Sequence, residues 1–272
     1  MICFDLDGTF LDDQKNIPPE NLRVLEAAAA RGVWIVPATG RIVPGLPEPL
    51  RTLPFMRWYI TSNGAYVYDA KEDRIAARSE IGVERALEFY RCADELGVLY
   101  DCYQNDWGYM TAWMLDEAER VIPDPGIREL IRTLRSPVPE LKEYLREKGE
   151  PLQKMQLYFT DLSLRRKVLE ELPARFPDLR FTSSVPFNIE INAAGATKGQ
   201  AMKRLCGLLG LAPEQVLALG DGTNDLDMIT SAGIGVAMAN AEASVRAAAD
   251  VVTGNNNEGG FAAAVRRFVP EE

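Results

Sequence analysis

The chain has no histidine. That absence removes the Ser-His-Asp triad, the Cys-His pair and every His-ligated zinc site. Proton transfer must come from carboxylates, lysine, tyrosine or cysteine. Positive charge is short as well: 30 Lys and Arg stand against 40 Asp and Glu, a formal net charge of −10. Nucleic-acid scaffolds show the opposite balance, so no nucleic-acid partner is expected. An anionic substrate would approach against this field and needs local positive charge, from a metal or a lysine, to hold it. The four cysteines, Cys3, Cys92, Cys102 and Cys206, include no C-x-x-C pair. Thiolate–metal and redox motifs are therefore not expected. No apolar run reaches the roughly 20 residues that span a bilayer, and no membrane partner is expected. The chain enters its first strand at Ile2, which leaves no room for a signal peptide. Together these readings give the expectation of a cytoplasmic protein with reduced, mostly buried thiols.

What is present suffices for a core. Hydrophobic residues make up 47% of 272 residues, which fits one large or two modest domains. The most informative stretch is Asp5-Leu6-Asp7-Gly8-Thr9, directly after the apolar run Ile2-Cys3-Phe4. The run reads as a buried strand and Gly8-Thr9 as the turn that ends it. Side chains at i and i+2 share one face of a strand, so Asp5 and Asp7 are expected in one small volume. Two anions that close repel unless a proton or a cation lies between them, and a hard cation such as Mg²⁺ suits oxygen ligands. Asp-x-Asp-Gly also occurs in plain turns, where Asp caps backbone amides.

The organisation along the chain supports the chemical reading. A helix over 18–31, a strand over 33–36 and a strand over 58–61 give β-α-β order, the mark of a parallel α/β sheet. The pattern resumes after residue 198, with strands at 216–219, 234–237 and 251–253 separated by helices. Residues from about 82 to 192 differ: a helix at 83–96, a strand at 153–159 and a hairpin of 180–182 with 188–191 suggest an antiparallel sheet open on one side. The expected architecture is a Rossmann-like parallel core of residues 1–81 and 189–272, with an α+β domain, 82–188, inserted as a cap. Four loops then meet at the carboxyl ends of the parallel strands, where open α/β sheets bind ligands. They carry Asp5 and Asp7; Thr39; Lys198; and Asp221, Asn224 and Asp225. Asp12 and Asp13 read as solvated turn residues. Trp107, Tyr109 and Trp113 read as packing within the inserted domain.

With Asp5-Leu6-Asp7-Gly8-Thr9, Ala38-Thr39-Gly40-Arg41, Ser62-Asn63-Gly64-Ala65, Lys198-Gly199, the run from Gly220 to Met228 and the closing Asp250-Val251-Val252-Thr253 in this order, the chain resembles the haloacid dehalogenase superfamily. The match is to its Cof-like phosphatase branch, with a type IIB cap. The resemblance implies that Asp5 takes a phosphoryl group as an aspartyl-phosphate. It implies that Asp7 is the general acid/base, and that Thr39 and Lys198 hold the transferring phosphoryl group with Gly40, Arg41 and Asn224. It implies Mg²⁺ on Asp5, Asp221 and Asp7, the last through its backbone carbonyl, with Asp225 and Asn63 in support. The implied activity is a Mg²⁺-dependent phosphatase for a small phosphorylated metabolite such as a sugar phosphate, working as a monomer or weak homodimer. Two alternatives stay open: a phosphomutase of the phosphomannomutase type, which shares the cap position, and a non-catalytic phosphate-binding regulator on the same fold.

Overall fold

The run Ile2-Cys3-Phe4 is fully buried and forms the strand between two parallel neighbours in the first of two units. The computed structural model describes residues 1–183 and 185–269. In chain order the first segment holds β1 (Ile2–Phe4), α1 (Pro19–Ala30), β2 (Ile35–Pro37), α2 (Glu48–Arg51), β3 (Trp58–Thr61), β4 (Tyr66–Asp69) and β5 (Arg74–Arg78). There follow α3 (Val83–Leu96), β6 (Leu99–Gln104), β7 (Trp107–Thr111), α4 (Ala112–Val121), α5 (Pro125–Leu134), β8 (Arg135–Val138), α6 (Leu141–Lys148), β9 (Lys154–Tyr158), α7 (Leu162–Arg175), β10 (Leu179–Thr182) and β11 (Asn188–Ala193). The last segment holds α8 (Lys198–Leu209), β12 (Leu217–Gly220), α9 (Leu226–Ser231), β13 (Ile234–Ala237), α10 (Ala243–Ala248), β14 (Val251–Val252) and α11 (Gly260–Phe268). One compact unit comprises residues 1–41, 46–78 and Thr197 onward; the other comprises residues 42–45 and 79–196.

The first unit is built on a parallel sheet of order β14-β13-β12-β1-β2. Phe4 lies opposite Leu219 of β12 and Pro37 of β2, so three loops leave the sheet side by side just beyond it. Strand alternation sorts β1 between two cores. Cys3 joins Ala201, Met202, Leu205 and Cys206 of α8 in one apolar cluster. Phe4 joins Phe10 and Phe261, whose ring centroids lie 5.0–5.1 Å from one another. The strand over 58–61 keeps the expected parallel direction at its bridge to the core sheet and departs from expectation on its other side. It forms an antiparallel sheet β3-β4-β5 and touches the parallel sheet through the single bridge Ala38–Ile60. The reason is local: the turn Ser62-Asn63-Gly64 has positive φ at all three residues, which reverses the chain into β4.

The second unit holds a six-stranded sheet of order β10-β11-β9-β6-β7-β8, antiparallel except for the β7–β8 pair. Pro137 sits in β8, the edge strand, where a missing N–H does least harm. β11 pairs with β9 and β10, so the chain leaves this unit only after Ala196, and the boundary expected at 189 falls inside a strand. One face of the sheet packs an apolar core against helices, with Phe89, Tyr90, Leu141, Leu172 and Phe176 buried in it. The other face is not the open one that alternation suggested. Asp101, Lys154, Gln156 and Glu190 are buried there, each bonded to a polar partner. Arg135 Nε and the Tyr158 hydroxyl both donate to Asp101 Oδ2 at 2.8 Å, and Lys154 Nζ lies 3.1 Å from Glu190. Trp107 donates to the Ser136 hydroxyl and Tyr109 stacks on Tyr144, both as packing; Trp113 is exposed. No helix among the described residues is long and apolar enough to cross a membrane.

The three-ring cluster gives a test of the first core. Phe261 is fully buried, so Phe261→Ala should lower stability by about 3–5 kcal/mol, read from urea denaturation. A loss under about 1 kcal/mol would mean that the rings do not pack as one cluster.

Candidate active site

The site begins where β1 runs out of apolar residues. The Asp5 N–H donates to the Leu219 carbonyl at 3.0 Å, which keeps Asp5 in register with the end of β12. The chain then folds into one irregular turn, Leu6–Phe10, in which Gly8 takes φ 79°. A Cβ on Gly8 would lie 2.4 Å from Asp221 Oδ2, so glycine is what lets this turn approach the loop after β12. Thr9 completes the contact, its hydroxyl donating to Asp221 Oδ1 at 2.8 Å.

Lys198 is the first residue of α8, with Thr197 capping the helix through a hydrogen bond from Gln200 N–H at 3.2 Å. Its side chain is fully buried, and its Nζ lies 2.5 Å from Asp5 Oδ1 and 2.6 Å from Asp225 Oδ1. Asp225 spends its second oxygen on the N–H groups of Asp221 and Gly222, both at 3.0 Å. One carboxylate thus joins the Lys198 ammonium to the backbone of the turn after β12. Asp5, Asp221 and Asp225 offer carboxylate oxygens all within 4.8 Å of one another.

Charge in this cluster is unbalanced. Burial raises the Asp5 carboxyl well above the carboxylate range, and the charges of Asp225 and Asp221 add to that against the opposing pull of Lys198. Burial and then Asp225 push Asp221 up to about 6. Burial works against the Lys198 ammonium, but Asp225 and Asp5 outweigh it and hold the proton on. A hard divalent cation fits the donors. The set is all oxygen and negative, and Lys198 and Thr9 engage one oxygen each of Asp5 and Asp221, leaving the Oδ2 atoms as donors.

Asp7 is not where the i, i+2 rule put it. The strand stops at Phe4, and Asp7 sits in the turn with its carboxylate outside the acidic cluster. Arg41 grips it in a fork, Nε to Oδ2 at 2.8 Å and Nη2 to Oδ1 at 2.7 Å, and Lys15 Nζ adds a contact to Oδ1 at 2.8 Å. Burial alone would raise the Asp7 carboxyl, but Arg41 and then Lys15 override it and bring it down to about 2. Arg41, expected on the phosphate, is therefore engaged with Asp7.

The remaining expected residues form one chain of contacts. Thr39 is buried, and its hydroxyl accepts the Arg41 N–H at 3.2 Å. Its carbonyl accepts the Asn63 N–H at 2.9 Å. Gly40 lies against the Asn63 side chain, and Asn224 Nδ2 donates to Asn63 Oδ1 at 3.3 Å. Gly64, at φ 96°, sits directly under the start of α8: a Cβ there would lie 2.2 Å from the Thr197 carbonyl oxygen.

Four residues at the site escaped the sequence reading: Thr9, Lys15, Asn240 and Asn256. Asn240 Nδ2 donates to the Gly8 carbonyl at 2.8 Å. Asn256 is buried and its Nδ2 donates to the Leu11 carbonyl at 3.0 Å and to Asp13 Oδ1 at 3.2 Å. Asp13 also donates its N–H to Asn257 Oδ1 at 3.0 Å, so it is tied down, and Asp12 holds the N–H of Asn16 at 2.8 Å. The run Asn255-Asn256-Asn257 after the last strand was the available signal, since side-chain amides in a loop commonly bind backbone.

Known proteins resemble this chain in sequence and in fold. Residues 2–265 match the family model described as haloacid dehalogenase-like hydrolase. The chain is 32% identical over 269 residues to the 5-amino-6-(5-phospho-D-ribitylamino)uracil phosphatase YcsE of Bacillus subtilis (strain 168), covering 99% of this chain and 95% of that one. It superposes on a haloacid dehalogenase-like hydrolase from Bacteroides thetaiotaomicron with a TM-score of 0.81 at 27% identity, covering 98% of each chain. A structure described as a HAD subclass IIB sugar phosphatase gives a TM-score of 0.79 at 25% identity, again over 98% of each chain.

The turn under α8 can be tested by two alanines of opposite sign. Gly64→Ala combines positive φ with a backbone clash and should cost about 2 kcal/mol or more of stability. Gly207→Ala lies in the same helix with nothing near its added Cβ and should gain about 0.4–1 kcal/mol. Urea denaturation of both variants gives the two signs; a neutral Gly64→Ala would show that the turn does not bear on α8.

Proposed function

The chain belongs to the haloacid dehalogenase-like hydrolases and is a phosphoric monoester hydrolase; from that premise we propose that it hydrolyses a small phosphorylated metabolite through an aspartyl-phosphate on Asp5. The observation that carries the reading is the buried Lys198 ammonium, shared between Asp5 and Asp225 beside Asp221. A carboxylate is a weak nucleophile toward an anion, so an attacking Asp5 needs that positive charge beside it.

In this proposal an Asp5 oxygen forms the new P–O bond as the bond to the leaving alcohol breaks. Asp7 gives its proton to the leaving oxygen, then takes one from the water that attacks the aspartyl-phosphate. Inorganic phosphate leaves and the Asp5 carboxylate is restored. Thr39 and Asn224 hydrogen-bond the phosphoryl oxygens, and Gly40 allows their close approach. Mg²⁺ would be held by Asp5 and Asp221, with the Asp7 carbonyl, and would supply the positive charge that the acidic cluster lacks. Asp225 acts on that set indirectly, since its oxygens are committed to Lys198 and to two backbone N–H groups. The inserted unit is proposed as the cap that selects the leaving group, in the manner such elements complete a site and exclude water. An alkyl phosphate such as a sugar or polyol phosphate is the proposed substrate class, supported by the names of the two phosphatase relatives.

A panel of phosphorylated metabolites assayed for phosphate release decides the matter. Activity should vanish in excess chelator and return with Mg²⁺, and Ca²⁺ should restore it poorly because its looser coordination misplaces the attack. Asp5→Asn should lower kcat on the order of 10⁴-fold in a folded protein. Asp221→Ala should raise the Mg²⁺ concentration for half activity roughly 10- to 100-fold. Full turnover in chelator, or by Asp5→Asn, would rule the proposal out.

A further inference from the structure

The turn over residues 12–16 follows the acidic motif and presents Lys15 in a left-handed backbone conformation, φ 65°. Local hydrogen bonds hold that conformation: Asp12 N–H to the Asn16 carbonyl at 3.0 Å, Lys15 N–H to the Asp12 carbonyl at 2.9 Å, and Asn16 N–H to Asp12 Oδ1 at 2.8 Å. The base of the turn is fixed separately. Asn256 binds the Leu11 carbonyl and the Asp13 side chain, and Asn257 accepts the Asp13 N–H. A strained backbone maintained from two sides points to a task for the side chain it carries. That side chain reaches back over the motif, and its ammonium lies 2.8 Å from Asp7 Oδ1.

Asp7 is thereby held by cations from two loops. Arg41, from the loop after β2, fixes the plane of the carboxylate through its fork. Lys15 approaches Oδ1, the oxygen that Arg41 Nη2 also contacts. The Asp7 side chain is 38% exposed and that of Arg41 25%, so solvent competes with the fork. A lone ion pair that exposed contributes little, whereas a network with bidentate geometry holds one arrangement. We propose that Lys15 is a positioning residue for Asp7, which with Arg41 keeps the Asp7 carboxylate in the single orientation from which it serves the leaving oxygen. The inference rests on the phosphatase reading above. The reaction uses Asp7 twice, to deliver a proton to the leaving alcohol and to recover one from water, and both uses need the same carboxylate in the same place.

The leaving group separates this role from a structural one. An alkoxide departs only with a proton, whereas p-nitrophenolate departs without one. Wild type, Lys15→Ala and Lys15→Arg are to be assayed with Mg²⁺ on ribose 5-phosphate and on p-nitrophenyl phosphate, with circular dichroism on each protein. For Lys15→Ala, kcat/KM on ribose 5-phosphate should fall about fivefold to tenfold through kcat, with KM within about twofold. On p-nitrophenyl phosphate kcat/KM should stay within about twofold, and Lys15→Arg should recover most of the loss. Equal falls on both esters, or no fall on ribose 5-phosphate, would overturn the positioning role while leaving the phosphatase reading intact. A folded wild type inert toward both esters would overturn that reading and the inference with it. Independently of turnover, a crystal structure of Lys15→Ala should show the Asp7 carboxylate in more than one orientation. A single orientation, still on the Arg41 fork, would overturn the inference.

Discussion

One buried ammonium organises the first unit. Lys198 has no exposed surface, so its charge depends on Asp5 and Asp225 at 2.5 and 2.6 Å. Removing one partner of such a buried pair leaves an uncompensated charge, at a cost of about 3–5 kcal/mol. That dependence ties together three stretches distant in sequence: the end of β1, the start of α8 and the turn after β12. Each carboxylate then brings its own attachments. Asp225 fixes the backbone of Asp221 and Gly222, and Asp221 in turn receives Thr9. Burial raises the carboxyls of Asp5 and Asp221, and the excess of three carboxylates over one ammonium adds to it. A divalent cation is what the arrangement lacks.

Close approach is the second constraint, and backbone permits it at two points. Gly8 lets the turn after β1 lie on Asp221, and Gly64 lets the turn after β3 lie under the first residue of α8. In each place the neighbour is a part of the charge cluster or of the helix that delivers Lys198. A side chain there would displace the charges themselves, because the contacts are with a carboxylate in one case and a main-chain carbonyl in the other.

How much of this could be read from sequence depends on whether a residue sits on a periodic element. Asp5, Thr39, Lys198 and Asp221 each stand where an apolar strand or a helix begins or ends, so their places followed from hydrophobic pattern. Asp7 did not follow, because the i, i+2 rule presumes a strand that continues, and this one ends at Phe4. The β3–β4 hairpin was hidden because Ser62-Asn63-Gly64 reads as an ordinary loop; its three positive φ values are a tertiary outcome. β8 was hidden by Pro137, which is tolerated only because the strand is an edge. The polar face of the six-stranded sheet read as solvent-facing, since alternation cannot distinguish water from a paired set such as Asp101 with Arg135 or Lys154 with Glu190. Lys15 is a single polar residue in a loop and Asn256 is marked only by its asparagine run, and nothing periodic marks either.

The two aspartates of the opening motif end in opposite electrostatic states, and this follows from which loops reach them. Asp5 is buried, shares its one cation with Asp225 and lies among further carboxylates, so its charged form is disfavoured. Asp7 is bonded to two cations, Arg41 and Lys15, which override its burial, so its charged form is favoured down to about pH 2. The proposed reaction asks the reverse of each at its first step: Asp5 ionised to attack, Asp7 protonated to release the alcohol. Asp5 reaches its working state when positive charge is added on the Asp221 side of the cluster. Asp7 reaches its own when negative charge arrives beside it: a phosphate dianion favours the protonated carboxyl while Arg41 and Lys15 keep it in place. Substrate charge thus acts on Asp7 in the direction the chemistry needs, while Asp5 depends on the added positive charge. On this reading the general acid is armed by the arrival of what it is to act on, and two carboxylates two residues apart divide their labour by the company each keeps.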